Sequence, residues 1–204
     1  SGRARHRNGS DAGKGNRHTV GESLNLGPRI TGDHHYALLE HVLPMCSGVA
    51  VEFGVGAGES TRLIAKHMPV TGFDSFAGLD TDWRPEYPKG SFACKPPTIQ
   101  NARLVIGWFT DTLPSFHWPA NIGLAHIDCD TYEATKTVLE HLPITPDTVL
   151  VFDEMLAYDD GPGASWQDHE HKAFTEHIDR TGITYEPLGH WEESWACRIK
   201  DNSA

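Results

Sequence analysis

Short apolar runs alternate with amphipathic stretches along most of this chain, and that alternation constrains its fold more than any other feature. The run GVAVEFGV at 48–55 is typical of a buried parallel strand, and residues 59–67 then show helical spacing. Strands that alternate with helices predict an α/β fold with a mostly parallel sheet. Further strand-like runs lie at 70–76, 102–109, 122–130, 147–154, 183–188 and 194–200, and helix-like stretches lie at 33–44, around Val138 and at 169–180. The last two strands are predicted to close the sheet as an antiparallel pair.

The first 18 residues differ in composition from the rest of the chain. They hold five Lys or Arg, one Asp and no large apolar side chain, which gives them a net charge of +4. Such a segment buries too little surface to order itself. We therefore predict a disordered basic tail over 1–18 and a single domain over 19–204. A role for the tail in binding an anionic partner is the alternative interpretation.

Composition disfavours several classes of partner. The chain of 204 residues has a net charge of −11, which argues against nucleic acid or an anionic membrane as the main partner. No run approaches the roughly 18–20 apolar residues of a membrane span, and no apolar core of a secretion signal is visible. The four cysteines have no zinc-like spacing, so a reduced, cytoplasmic protein is expected. A homo-oligomer is left open.

Glycines follow the first predicted strand and precede the first long helix. The loop GVGAG at 54–58 lies where ligands bind in parallel sheets, beyond the carboxyl end of a strand. Glu59 disfavours a pyrophosphate at the helix N-terminus, whereas Glu52 favours a cationic ligand group. Asp74, 22 residues after Glu52, has the position of a carboxylate that accepts ribose hydroxyls. The pattern predicts an adenosine-type ligand; turn glycines and a capping Asp are the simpler alternative.

Acidic residues end the next two predicted strands of the sheet. Asp128 and Asp130 close the fourth strand, and Asp153 and Glu154 close the fifth. These ends share one edge of a parallel sheet, where carboxylates repel one another unless a cation or protons compensate. Oxygen ligands select hard divalent ions. We therefore predict a metal site, although Asp130 taken alone is also typical of a helix cap.

Five motifs follow one another along the chain: EFGVGAGEST at 52–61, FDSFAGL at 73–79, GWFTDTLP at 107–114, HIDCDTYE at 126–133 and VFDE at 151–154. In this order they resemble the class I S-adenosylmethionine-dependent methyltransferases, and within them the macrocin O-methyltransferase group. The resemblance covers about residues 48–200. It implies a Rossmann-like seven-stranded, mostly parallel sheet with helices on both faces. It also implies S-adenosylmethionine with Mg²⁺ or Mn²⁺, and a sugar hydroxyl as the methyl acceptor.

The resemblance further implies roles for individual residues. The residues that would bind S-adenosylmethionine are Glu52, Gly54, Gly56, Ser60, Thr61, Asp74, Ser75, Phe76 and Asp128. Within this set, Glu52 and the two glycines would contact the methionine half, and Asp74 would hold the ribose. The metal ligands would be Asp128, Asp153 and Glu154, although the group often has Asp at the last of these positions.

A sugar hydroxyl is a poor nucleophile until its proton leaves, so the reaction needs a base. Asp130, beside a metal ligand, and His169, which opens a predicted helix, are the candidates. His126 ranks third, because a histidine inside a strand is more often a satisfied core residue. Tryptophans offer flat faces for a sugar ring. We expect Trp166 to be the more exposed and Trp108 to lie in the core.

Three other functions stay open on the sequence. The acceptor of an O-methyltransferase could be a non-sugar molecule, of polyphenol or cephalosporin type. A nicotinamide-dependent dehydrogenase is disfavoured by Glu59 and by the acidic strand ends. A non-catalytic module would keep the cofactor loop but lack the metal.

Overall fold

The structure is a computed structural model that describes residues 24–156 and 166–201. The predicted tail over 1–18 lies outside the described residues, as does most of the segment before Trp166. The helices are α1 (Ala37–Val42), α2 (Glu59–His67), α3 (Phe109–Thr112), α4 (Tyr132–His141) and α5 (Glu170–Thr181). The strands are β1 (Val49–Phe53), β2 (Val70–Asp74), β3 (Ala102–Ile106), β4 (Ile122–Ile127), β5 (Val149–Phe152), β6 (Tyr185–Trp191) and β7 (Ser194–Ile199). Single turns of 3-10 helix lie at Leu43–Met45, Leu113–Ser115 and Trp166–Asp168.

The strands form one seven-stranded sheet in the order β3-β2-β1-β4-β5-β7-β6. Neighbours from β3 to β5 are parallel, whereas β7 runs antiparallel to both β5 and β6. This confirms the predicted Rossmann-like fold with an antiparallel seventh strand. The strand order reverses between β1 and β4, and ligands of such sheets bind at this switch point. The loop after β1 and the acids after β4 therefore meet at one place.

Two apolar layers cover the sheet because alternate side chains of each strand point to opposite faces. Val51 and Phe53 of β1 pack with α4 and α5, where Phe174 is fully buried. Ala50 packs on the other face with α1 and α2, where Ile64 is fully buried. In the part of the chain that the structure describes, helices thus cover both faces of the sheet, and the strand ends stay accessible to a ligand.

Several predicted boundaries differ from the observed ones. The third strand ends at Ile106 and not at 109, because Gly107 takes a φ of +147° that turns the chain into α3. The helix predicted over 33–44 begins later, at Ala37, and after Val42 it changes to a 3-10 turn that contains Pro44. The stretch 77–101 is a long loop as expected, with an isolated bridge between Arg84 and Tyr87.

The four cysteines are free thiols. In the ranges 24–156 and 166–201, none of the helices has the length and apolar character that crossing a membrane requires.

A buried histidine in α5 predicts acid sensitivity. Burial, together with Arg180, lowers the pKa of His177 to about 4, and the ring accepts a hydrogen bond from Arg180 Nη2 at 3.2 Å. The folded pKa lies below the unfolded one, so this contribution is full above about pH 6.5 and is lost as the pH falls towards 4. Acidification from pH 7 to 4.5 lowers the free energy of unfolding. We expect this decrease to be about 1–2 kcal/mol smaller in His177→Gln than in the wild type.

Urea unfolding at the two pH values measures this difference. The variant His117→Gln, at an exposed loop position, serves as the control and should follow the wild type. Equal acid losses in the wild type and in His177→Gln would contradict the prediction.

Candidate active site

The loop after β1 approaches the end of β4 so closely that only glycine fits. Gly54 has a φ of +91°, and a Cβ built there would lie 1.7 Å from the backbone oxygen of Asp128. The amide of Asp128 in turn donates to the carbonyl of Phe53 at 2.9 Å. Gly56 has a φ of +50° and open space around the position of a Cβ. The loop is thus fixed on one side and accessible on the other.

Asp74 orients the backbone of this loop. Its Oδ2 accepts hydrogen bonds from the amides of Val55 and Gly56, each at 2.8 Å. Its Oδ1 accepts one from the amide of Phe76 at 2.7 Å. A carboxylate offers about four acceptor positions, so Oδ1 keeps capacity for a ligand hydroxyl. The position predicted for ribose binding therefore also holds the glycine loop in place.

Glu52 lies beneath the loop, inside the fold. It is fully buried, Thr61 donates to its Oε2, and its Oε1 pairs with Nδ1 of His126 at 2.9 Å. Glu52 and His126 are also partners in the register of β1 and β4. Both carboxylate oxygens are thus engaged by the protein itself, and His126 is the satisfied core histidine that the sequence indicated.

Three carboxylates converge where β4 and β5 end. One oxygen each from Asp128, Asp153 and Glu154 lies within 4.8 Å of the other two. Loss of hydration, followed by the charge of Asp153, raises the pKa of both Asp128 and Glu154 well above the ordinary range. Glu154 is 7% exposed, and among the described residues its Oε2 has no hydrogen-bond partner.

This cluster fits a hard divalent cation. A buried carboxylate oxygen without a partner costs about 1–3 kcal/mol or more, and a cation among three carboxylates would offset both that cost and their mutual repulsion. The donors are all oxygens, as Mg²⁺ and Mn²⁺ prefer. Asp128, Asp153 and Glu154 are therefore the residues that could hold it.

Asp130 lies beside this cluster in an unusual backbone conformation. Its φ is +61°, and the amide of Thr131 donates across it to the carbonyl of Cys129 at 2.6 Å. Residues in such strained conformations concentrate at functional sites. Burial and then the charge of Asp153 raise the pKa of Asp130 to about 7, against a lowering effect of Arg84.

Two residues that sequence reasoning missed hold the cluster. His35 Nε2 lies 2.8 Å from Asp153 Oδ2, and this hydrogen bond is the main cause that raises the pKa of His35. Glu170, fully buried, accepts from the amides of Cys129 and Glu154 at 3.4 and 3.1 Å, so it connects the ends of β4 and β5. No spacing in the sequence indicated His35. The acid at the start of a helix was a weak signal for Glu170.

A cavity of about 980 Å³ connects the glycine loop to the acidic cluster. Ligand sites commonly have about 300–1,000 Å³, so there is room for a nucleoside and a second small molecule. The predicted residues among those that line it are Gly54, Gly56, Ser60, Asp74, Ser75, Asp128, Asp130, Asp153 and Glu154.

Other predicted residues lie away from this lining. Glu52 and Thr61 are paired below it, and Phe76 is 8% exposed behind Ser75. His169 is the N-cap residue of α5, outside the described lining. The structure thus brings Asp130, and not His169, to the cavity.

The expectation for the tryptophans was wrong. Trp108 is 39% exposed and lines the cavity, because it follows the left-handed turn at Gly107 and stands at the N-cap of α3. Trp166 is only partly exposed and its ring packs 4.9 Å from that of His171. Trp118 packs on Phe116 at 5.0 Å, whereas Trp83 lines the cavity.

Comparison with known proteins bears on this site. The family described as "Methyltransferase domain" matches residues 51–155, which is just over half of the 204 residues. Comparison with curated proteins gives no match.

Solved structures share the fold over most of the chain. The calicheamicin methyltransferase CalS11 is 25% identical, with 82% of this chain and 77% of that chain covered and a TM-score of 0.61. The O-methyltransferase NovP is 19% identical over 80% and 76% of the two chains, with a TM-score of 0.59. The methyltransferase PaMTH1 of Podospora anserina, solved with S-adenosylhomocysteine, is 14% identical over 82% and 78%, with a TM-score of 0.52.

Proposed function

The chain belongs to the methyltransferase-domain family, and from that premise we propose that it transfers a methyl group from S-adenosylmethionine to a sugar hydroxyl with the help of a divalent cation. The family and the structural likeness make the chain an S-adenosylmethionine-dependent methyltransferase. The sugar is supported by the likeness to CalS11, which a second structure describes as a TDP-rhamnose 3'-O-methyltransferase.

The observation that carries the cation is the unpartnered Oε2 of Glu154 within the three-carboxylate cluster. Asp128, Asp153 and Glu154 would hold Mg²⁺ or Mn²⁺. When bound, such an ion stabilises the alkoxide form of a hydroxyl and orients it. The all-carboxylate donor set and its location at the cavity both support this assignment.

The glycine loop and the acids have separate tasks. When bound, S-adenosylmethionine supplies a methyl group on a sulfonium, so that a C–O bond forms as the C–S bond breaks and the hydroxyl proton leaves. The loop at Gly54 and Gly56 would bind this cofactor, and Asp74 would hold both the loop and the ribose. The buried pair Glu52 and His126 would fix the loop from below.

Asp130 is the residue that we propose as the base, because it lines the cavity next to the cluster. The change Asp130→Asn is expected to lower kcat by about 10²–10⁴, since the amide cannot take the proton. Asparagine tolerates the left-handed backbone at this position. The Kd for S-adenosylmethionine should stay within about threefold.

Steady-state kinetics and calorimetric titration measure the two effects. Asp111→Asn, at an exposed position of α3, is the control and should behave as wild type. Full activity of Asp130→Asn would exclude Asp130 as the base and direct attention to His169.

The proposed function as a whole is tested by a panel of acceptors with methyl-labelled S-adenosylmethionine. Mono- and disaccharides, aryl glycosides and nucleotide sugars stand against catechols and flavonoids, each with Mg²⁺, with Mn²⁺ and with chelator. We expect label in the sugars, only with the metal. Label in catechols alone would assign the polyphenol class, and full turnover with chelator would remove the metal.

A further inference from the structure

Carboxylates dominate the charge around the cavity. Nine of its described lining residues are Asp or Glu, whereas the cationic ones are Arg84 and His35. One dication and one cofactor would offset only part of this charge.

The two cationic side chains already have acidic partners. Arg84 Nη2 lies 2.9 Å from Glu193 Oε2, and the Arg84 side chain is 12% exposed. His35 is paired with Asp153. A nucleoside diphosphate would bring two further negative charges into this setting and lose hydration without a new ion pair, which is costly.

Aromatic side chains of the 77–101 loop also line the cavity. This aromatic wall consists of Trp83, Tyr87 and Phe92, and the rings of Tyr87 and Phe92 stack with centroids 5.0 Å apart and an angle of 29°. Trp83 lies 5.5 Å from Tyr87. Trp83 and Phe92 meet edge-on, with centroids 6.3 Å apart and an angle of 61°. The three rings therefore form one aromatic group, whose outer surfaces remain for a bound molecule.

Exposure increases along this wall from Trp83 to Phe92. The guanidinium of Arg84 lies 3.9 Å from the centroid of the Trp83 ring. Its positive charge also has a lowering effect on the pKa of Asp130. Trp83 is partly exposed, Tyr87 is 36% exposed and Phe92 is 53% exposed. Trp83 is therefore linked through Arg84 to the acidic residues, whereas the more exposed rings of Tyr87 and Phe92 are the ones that a bound molecule can cover.

We infer that the acceptor is an uncharged glycoside whose planar, apolar aglycone stacks on the aromatic wall, and not a nucleoside-diphosphate sugar. This inference rests on the proposed function. The sugar ring lies between the acidic cluster and Trp83, and the aglycone covers Tyr87 and Phe92. Covering exposed aromatic rings with a flat apolar group is favourable.

The test uses a set of sugars, each in three forms: methyl glycoside, 2-naphthyl glycoside and nucleoside-diphosphate sugar. Methyl transfer gives kcat/KM, and equilibrium titration of the enzyme with Mg²⁺ and S-adenosylhomocysteine gives Kd without turnover. We expect kcat/KM for the naphthyl form to exceed that for the methyl form by about tenfold, mainly through KM. The nucleotide form should be the poorest acceptor and the weakest ligand.

Variants test whether the aromatic wall causes the preference for the naphthyl glycoside. The double change Tyr87→Ala with Phe92→Ala should bring the naphthyl-to-methyl ratio to within about threefold of one. Ile106→Ala, 60% exposed and outside the cavity lining, is the matched control and should keep both the ratio and the activity.

The possible outcomes distinguish this inference from the proposed function. A nucleotide sugar as the best acceptor, or equal use of methyl and naphthyl forms, overturns this inference while leaving sugar methylation intact. The same holds if the double variant keeps the naphthyl preference. Transfer to no sugar in any form contradicts the proposed function, and this inference with it.

Discussion

Replacing Asp153 by asparagine is expected to lower kcat by at least about a thousandfold and to leave the Kd for S-adenosylmethionine within about threefold. Asp153 is one of the three carboxylates within 4.8 Å of one another and is 5% exposed. Asparagine keeps the shape of the side chain but removes the charge that a dication needs. The glycine loop and Asp74 are untouched, so cofactor binding should persist.

Three measurements separate these effects: labelled methyl transfer, calorimetric titration with S-adenosylmethionine, and Mn²⁺ binding followed by electron paramagnetic resonance. Mn²⁺ affinity should fall at least about a hundredfold. Asp179→Asn, exposed on α5, removes one charge away from the cavity and should change none of them. If Asp153→Asn methylates at the wild-type rate, the cluster has no part in the reaction.

The change Gly54→Ala is expected to destabilise the fold by about 3 kcal/mol and to abolish cofactor binding. A Cβ at 1.7 Å from the backbone oxygen of Asp128 cannot be accommodated unless β1 and β4 separate at their ends. The φ of +91° adds strain for any side chain. Because the same ends carry the acidic cluster, the change should also weaken Mn²⁺ binding.

Gly56→Ala is the informative control for this prediction. Its φ is +50°, but nothing lies within 4 Å of the added methyl group, so unfolding should change by only about 1–2 kcal/mol. Since Gly56 lines the cavity, we expect weaker binding of S-adenosylmethionine in a folded protein. Thermal and urea unfolding with calorimetric titration compare the two. A Gly54→Ala protein as stable as Gly56→Ala would show that the close approach is unimportant.

The fold could be predicted from the sequence because its signals are local. The apolar run before Gly54 and the helical spacing of 59–67 each specify one element, and the observed α2 has the predicted bounds. The convergence of Asp128, Asp153 and Glu154 was also predictable, since the ends of neighbouring parallel strands share one edge.

The remaining features depend on contacts between distant parts of the chain. His35 precedes α1 and reaches Asp153 across 118 positions, and no local pattern encodes such a pairing. At the start of α5, Glu170 and not the predicted His169 contacts the acidic strand ends. Its carboxylate accepts hydrogen bonds from the amides of Cys129 and Glu154. The exposure of Trp108 follows from a glycine turn that shortens β3, and a run of apolar letters cannot show that.

The loop that carries the aromatic wall is held mainly by bonds to itself. The amide of Leu79 donates to the carbonyl of Ser91, and that of Gly90 donates back to Leu79, each at 2.9 Å. A further bond, from the amide of Cys94 to the carbonyl of Phe76 at 3.3 Å, closes a segment that contains all three rings of the wall. Apart from the pair of Arg84 with Glu193, substitutions of its side chains leave the strand pairings of the sheet in place. Exchanging this loop between related methyltransferases is therefore a route to new glycoside selectivity, with the cofactor-binding part of the fold left unchanged.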